Sequence, residues 1–516
     1  MRNWHSLYEI LVFPINVLYF ATFMLGLGNL ITNEAFSAFI SIDSDFVILL
    51  ADCLLRTGTF LIAQFPFLFL IRLVARKSGS ATTMLSAVCG YITYLVVTMY
   101  FCRQDLPSTA YSSILGLSMT TASSAVMRGG VHYPLQTGII ATAIVALITL
   151  GSHNSSRSLS EYRFFGFISR DTWCVIRTVL LCALAAFAVT YAWPYVLRMI
   201  TAAIDYIARD TTNPVNLMLY GIMERILGIL NLGTLIRSPF WYSASGGSWI
   251  SMAGTNIAGD VNIWTSQYEA SSLAGMSGRF ITPYYVINLF AVPGLLWAMY
   301  SLQTDVLERR RRRMFYVIVS LMSVFSGTLL PLELSLFLLC PLLFFFHVGF
   351  MGILYGVFQS MHIYLGFFYH GTSTMTAMPG TLLEFLSYIQ NTGLQNALIR
   401  IAVTGVISFF IYFLMTRFYF RYLALDLFHT GVKDEVIRGT IDAVGGVENI
   451  KLIHSGTERL VISLYDSQSL NVDKLKEYGA IRVTETKAGY AIGYGARSTM
   501  IRIGITKYMR DNIRGA

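Results

Sequence analysis

The residues of this chain with chemical capacity are sparse, and most lie in apolar surroundings. Glu224 and Arg225 are adjacent inside the apolar stretch 215–233, and Glu333 follows Pro331 inside another. A carboxylate at membrane depth costs at least about 2.5 kcal/mol, so Glu333 must face the protein interior or a water-filled cavity. Two readings of it stand: an acceptor for the hydroxyls of a polar ligand, or a structural bond to a helix end freed by Pro331. Glu224 and Arg225 are candidate ligand contacts, or simply pair with their neighbours. Arg237 and Asp260 read as interfacial. Trp241, Tyr242 and Trp249 are suited either to stacking on a ring or to an aromatic belt at the membrane surface. His370, in the Gly/Ser/Thr-rich stretch Gly366–Gly380, reads as a loop residue and not as a metal ligand. The six cysteines Cys53, Cys89, Cys102, Cys174, Cys182 and Cys340 lie in or beside apolar segments. They are not spaced as a metal or redox pair and read as small hydrophobes. With no nucleotide loop, metal cluster or hydrolytic triad, no cofactor and no other enzyme class is expected.

The elements that position these residues follow from composition. Of 516 residues, 55% are hydrophobic and 13% charged; mean hydropathy is +0.59. Soluble domains carry roughly 45–50% apolar and about 25% charged residues. A soluble enzyme is therefore excluded, and the lipid bilayer is the expected surrounding. The net charge of +9 is the kind that accumulates in cytoplasmic loops. Nucleic-acid binding is not expected, since no basic patch is interleaved with aromatics. After Arg2, the apolar stretch Ile10–Ile31 is long enough to span a bilayer. No small-residue cleavage site follows it, so it reads as an uncleaved first helix. About ten spans are expected, near 10–31, 46–75, 84–102, 137–151, 173–204, 215–233, 280–301, 314–330, 335–361 and 397–424. The run 46–75 exceeds one straight span and predicts a bent or tilted helix. The segment 107–130 is too polar to face lipid and belongs inside the protein or along a cavity. Gly366–Gly380 and Ser243–Gly254 are candidate re-entrant loops, since transporters build sites from interrupted helices.

The character changes after Phe428. Val436, Ile437, Thr440, Ile441 and Val444 recur at helical spacing until Gly445-Gly446 stops them. Ile450–Ile453, Leu460–Tyr465, Ile481–Thr484 and Tyr490–Tyr494 predict strands. Asp473–Tyr478 and Arg502–Ile513 predict helices. The expected architecture is a polytopic α-helical membrane protein, about ten transmembrane helices plus re-entrant segments, followed by a small C-terminal α+β domain. The expected division is 1–428 and 432–516. The run Arg309 to Arg313, together with Arg417 and Arg421, places both loops and the C-terminal domain in the cytoplasm. The arginine run also reads as a plain stop-transfer signal.

Several stretches resemble one family. Ser326–Pro341 reads SGTLLPLELSLFLLCP. It is similar to the Gly-Ile-Thr-Glu-Pro-Ile-Glu-Phe signature of enzyme IIC in glucose-type sugar permeases of the phosphoenolpyruvate-dependent phosphotransferase system. Ala298-Met299-Tyr300 resembles what precedes that signature. Tyr220-Gly221, Glu224-Arg225-Ile226-Leu227 and Pro239-Phe240-Trp241 are similar to the family's Tyr-Gly and Glu-Arg-Leu-Leu segment, and Phe165-Gly166-Phe167 to its Leu-Gly-Phe-Phe stretch. In the tail, Gly445-Gly446-Val447-Glu448-Asn449-Ile450 and Thr457-Glu458-Arg459-Leu460 resemble the attached enzyme IIB domain. The closest likeness is to α-glucoside permeases.

The resemblance implies uptake and phosphorylation of a glucose- or glucoside-type sugar across the bacterial cytoplasmic (inner) membrane. It implies enzyme IIA or another phosphotransferase component as partner, and a homodimer. Family members pass phosphate to a cysteine on IIB and then to the sugar. Here that position falls on Gly456, and no cysteine follows Cys340. The thiolate is the nucleophile that chemistry needs. His454 and Ser455 are neighbouring substitutes, although a serine phosphoester is a poor donor. The first glutamate of the IIC signature is Leu330, while the second persists as Glu333. The family's paired histidines fall on Gly233 and Thr234, and its basic residues near Asp171 and Thr172. Two functions therefore stand: a permease, or a phosphorylation-incompetent sensor, regulator or facilitator built on the same frame. A secondary transporter using Glu333 as a proton or ion site leaves the tail unexplained.

Overall fold

The computed structural model describes residues 2–33, 36, 44–103, 106–122, 129–156, 169–270, 277–303, 306–368, 379–420, 434–455, 459–486, 489–494 and 497–515. Among these, eight helices are long and apolar enough to cross a membrane. The protein is a mostly helical membrane protein with a small strand-containing C-terminal domain. The chain divides into two compact units, Met1–Trp297 with Arg313–Leu414, and Ala298–Arg312 with Met415–Ala516. The expected boundary near 428–432 lies outside the described residues.

The first unit begins with α1 (Arg2–Thr32), α2 (Asp45–Ala63), α3 (Phe65–Ser78) and α4 (Ala81–Tyr100). The expected long span 46–75 is two helices, not one. Pro66 has no N–H to continue the ladder, so α2 ends at Gln64 and α3 starts afresh with the proline in its first turn. Helices α1 and α2 pack closely over glycine. A Cβ at Gly58 would lie 2.5 Å from the Ala21 carbonyl, and one at Gly28 would lie 2.6 Å from that of Ala51.

Next come the short antiparallel pair β1 (Met119–Thr121) and β2 (Gly130–His132), then α5 (Ile139–Ser156) and α6 (Arg170–Ala208). Helix α6 is capped by the Ser169 hydroxyl, which accepts from the Thr172 amide. The run 215–233 becomes α7 (Pro214–Ile229), a break at Asn231 with φ +60°, and α8 (Gly233–Tyr242). The hairpin β3 (Ser248–Ile250) and β4 (Asn256–Ala258) leads to α9 (Asp260–Glu269). Then follow α10 (Thr282–Leu302), which contains a π-helical turn over Ile287–Ala291, and α11 (Val306–Ser326). The run 335–361 is also divided: α12 (Leu330–Leu339) ends before Pro341, which opens α13 (Pro341–Ser360). The short α14 (Leu382–Ser387) and α15 (Gln395–Phe418) complete the series. The lipid-facing character persists in three dimensions: Leu147 is 73% and Met199 76% exposed, which a soluble core protein would bury.

The second unit holds α16 (Asp434–Ala443), β5 (Ile450–Ser455), β6 (Arg459–Leu464), α17 (Val472–Glu477), β7 (Arg482–Thr486), β8 (Gly489–Gly493) and α18 (Ser498–Gly515). Its antiparallel sheet has the order β5-β6-β8-β7. Ile437, Ile441, Leu460, Ile462, Leu475, Ile492, Ile501 and Ile505 form its core. Gly445 and Gly446 have φ of +89° and +92°, which ends α16. Asn449 then fastens the loop: its amide donates to the carbonyls of Val444 and Asp466, and its side-chain oxygen accepts from the Asp466 N–H. Asp466 in turn caps the Ser467–Ser469 turn. The Ser469 hydroxyl and the Gln468 N–H hold its carboxyl below the usual carboxylate range.

Candidate functional site

The first unit contains a half-open cavity of roughly 630 Å³, within the range of small-molecule sites. Its polar wall is built around Glu224 and Arg225. They sit side by side in the middle of α7, 3% and 6% exposed. Arg225 Nη1 donates to Glu333 Oε1 at 2.7 Å, while its Nε lies 3.1 Å from Glu224 Oε2. Glu224 Oε1 accepts from the Tyr284 hydroxyl at 2.8 Å and lies 3.3 Å from Arg237 Nε. Arg225 also covers the Tyr284 ring at 4.6 Å. Two carboxylates and two guanidiniums thus alternate, and their charges cancel. This is the condition under which buried ions are tolerated.

Glu333 is placed by Pro331 in a way the sequence reading did not anticipate. The proline occupies the first turn of α12, where its missing N–H has no partner to lose. The Glu333 amide bonds the Leu329 carbonyl at 2.9 Å. The carboxylate is therefore not repairing a helix end. Its oxygen Oε1 instead lies 3.2 Å from His347 Nε2, and His347 Nδ1 lies 2.8 Å from the Tyr412 hydroxyl. The imidazole thus bridges the carboxylate and the tyrosine hydroxyl. His347 and Tyr412 escaped the sequence reading because each is a single polar group in a Phe-rich run. That Pro341 would fold α13 back and bring His347 to Glu333 was not visible in the spacing.

A second part of the wall is a seam between helix ends. The Ile139 N–H at the start of α5 donates to the Leu230 carbonyl just past α7, at 3.1 Å. Gly138, at φ +55°, must be glycine because a Cβ would collide with that same carbonyl. Thr234 donates to Gln136 Oε1 at 2.8 Å, and the Gln136 amide reaches the Asn231 carbonyl at 3.2 Å. The Asn231 amide donates to the Ala63 carbonyl at the end of α2, 3.1 Å away. Tyr111, Ser112 and Ser113, from the polar segment 107–130, also line the cavity.

The remaining candidates distribute as follows. Trp241 and Tyr242 line the cavity, and the Trp241 indole donates to the buried Tyr220 hydroxyl at 2.9 Å. Trp249 lies on the β3–β4 hairpin and does not line the cavity. Arg237, read as interfacial, is instead a cavity residue. Asp260, read likewise, is 1% exposed and accepts from the backbone N–H groups of Gly278 and Phe280 at 2.8 and 3.2 Å. Leu330 lines the cavity beside Glu333. Asp171 and Thr172 belong to the first turn of α6, and neither lines the cavity. In the second unit, His454 is exposed on β5, and the Ser455 hydroxyl accepts from Arg502 Nε at 3.0 Å. Gly456, His370 and Phe165-Gly166-Phe167 lie outside the described residues.

No family model matches the chain. Over an alignment of 525 residues it is 23% identical to a PTS system glucoside-specific EIICBA component of Staphylococcus carnosus (strain TM300), covering 98% of this chain and 72% of that protein. The chain is a relative of phosphotransferase-system sugar permeases. The likeness runs through both the IIC-type and the IIB-type parts. With its eight membrane-length helices, the chain is a multi-pass protein of the cytoplasmic membrane, as IIC components are.

Proposed function

We propose that the chain binds a glucose- or glucoside-type sugar in the cavity of its IIC-like part and moves it across the membrane. The observation that carries this reading is the polar wall of Glu224, Arg225 and Glu333 along the cavity. Hydroxyl groups both donate and accept, so a neutral polyol suits a wall whose charges already cancel. In this reading residues 1–428 are the IIC-like permease and 432–516 the IIB-like domain. The arginines at 309–313 set the IIB-like domain in the cytoplasm. The permease works as a homodimer, with enzyme IIA or another phosphotransferase component as its partner.

A second reading is favoured by one specific observation: no cysteine follows Cys340. Without that thiolate the tail forms no phosphocysteine. The protein then acts as a sugar-binding sensor, regulator or facilitator, unless another IIB supplies the phosphate. His454 is exposed, and Ser455 is engaged by Arg502, so neither replaces a low-pKa thiol.

The decisive experiment is ligand-induced thermal stabilisation of the purified full chain with methyl glucosides of both anomers. A shift in Tm is expected, and Glu333→Gln should reduce it. The absence of any shift across a sugar panel would remove both readings.

A further inference from the structure

We propose that Arg237 is a specificity-determining ligand contact of this cavity, admitted to it by the missing side chain at Gly233. The inference rests on the sugar-binding reading above and concerns which oxygen or nitrogen the ligand presents.

Arg237 differs from the other ions of the wall. Arg225 is held by a short hydrogen bond to Glu333 and by Glu224. Glu224 already accepts from Tyr284 and faces Arg225. Arg237 comes third to that carboxylate: its Nε is 3.3 Å from Glu224 Oε1 and, like Nε and Nη2 of Arg225, forms no hydrogen bond, so what sets it apart is its exposure. The side chain stays 23% exposed, against 7% for Arg225, and it lines the cavity. Its other support is the Trp241 ring, 5.8 Å below the guanidinium carbon. A guanidinium carries five N–H donors and no acceptor. This one is positioned by Glu224 and Trp241 and lines the cavity.

Room for it comes from Gly233. A Cβ built there would collide with Arg237 Nη2. Gly233 stands in the first turn of α8, one turn before Arg237. Its backbone is not in the left-handed region, so what glycine supplies there is room for the guanidinium. The pair thus acts as a unit: glycine at 233 opens the volume, and arginine at 237 places a fixed cation in it.

A fixed cation in the cavity wall selects the ligand atom opposite it. An acceptor oxygen, as in a sugar hydroxyl, gains a charge-assisted bond. An ammonium group at the same place meets like charge, and the guanidinium has no acceptor to take its protons. The cavity should therefore take a hydroxy sugar and reject its cationic amino-sugar counterpart.

The test is binding of glucose and glucosamine to the full chain in detergent, by calorimetry at pH 6.5, where the amine is protonated. Glucose should bind at least about tenfold more tightly, the scale of one hydrogen bond to a charged group. Arg237→Gln should weaken glucose about tenfold and narrow the gap. Gly233→Ala should reproduce that effect by displacing the guanidinium, with little added in the double variant, whereas Arg237→Lys should keep the amino-sugar exclusion. If Arg237→Gln and Gly233→Ala bind both sugars as the unaltered chain does, the inference falls while the sugar-binding reading stands. If the unaltered chain binds neither sugar nor any glucoside, both fall.

Discussion

At the scale of the residue, Arg225 joins the two carboxylates of the cavity, so its removal exposes both. Arg225→Met leaves Glu224 and Glu333 buried with one guanidinium between them. Breaking a buried pair in this way costs about 3–5 kcal/mol, and the variant should lose that much stability in chemical unfolding of the purified protein. A loss below about 1 kcal/mol would mean the carboxylates do not depend on it. Glu224, Arg225 and Glu333 were legible in the sequence because an ion inside an apolar run is conspicuous and must be compensated. Their mutual pairing was not, since Glu333 lies 108 positions from Arg225. Arg237 was misplaced for a related reason. A sequence gives order along the chain but not depth in the membrane, and an arginine near a Pro-Phe-Trp end looks like a surface anchor.

At the scale of the element, the interrupted helices do the positioning. The breaks at Gln64, Asn231 and Cys340 each follow from a local cause. Two are prolines at the start of the next helix, and one is a left-handed asparagine. The prolines were visible in the sequence, yet the apolar runs on either side merged into single expected spans. Hydropathy averages over a break of one residue, so 215–233 and 335–361 each read as a single span where the chain forms two helices. The tail was read more closely, because glycines and alternating strands punctuate it within a few residues. The close packing of α1 on α2 depends on Gly58, whose Cβ would meet the Ala21 carbonyl at 2.5 Å. Gly58→Val should destabilise the first unit by about 1–3 kcal/mol through overpacking, seen as a lower Tm without ligand. An unchanged Tm would show that the pair can separate at no cost.

At the scale of the whole molecule, a membrane unit with a polar cavity is combined with a tail that contains no cysteine. Incubation of the full chain with labelled phosphoenolpyruvate and the general phosphate carriers should leave it unlabelled. Stable incorporation of phosphate would show that another side chain has taken over the transfer. The described residues of the tail pack a hydrophobic core and are fastened by Asn449, neither of which needs a cysteine. The seam at Ile139 and Leu230 bears on how the chain is made. The start of α5 leaves the ribosome some ninety residues before its hydrogen-bond partner exists. Until Leu230 is made, the first amide of α5 lacks the carbonyl that it meets in the finished fold. The polar wall is thus closed late, by a segment synthesised well after the one it completes.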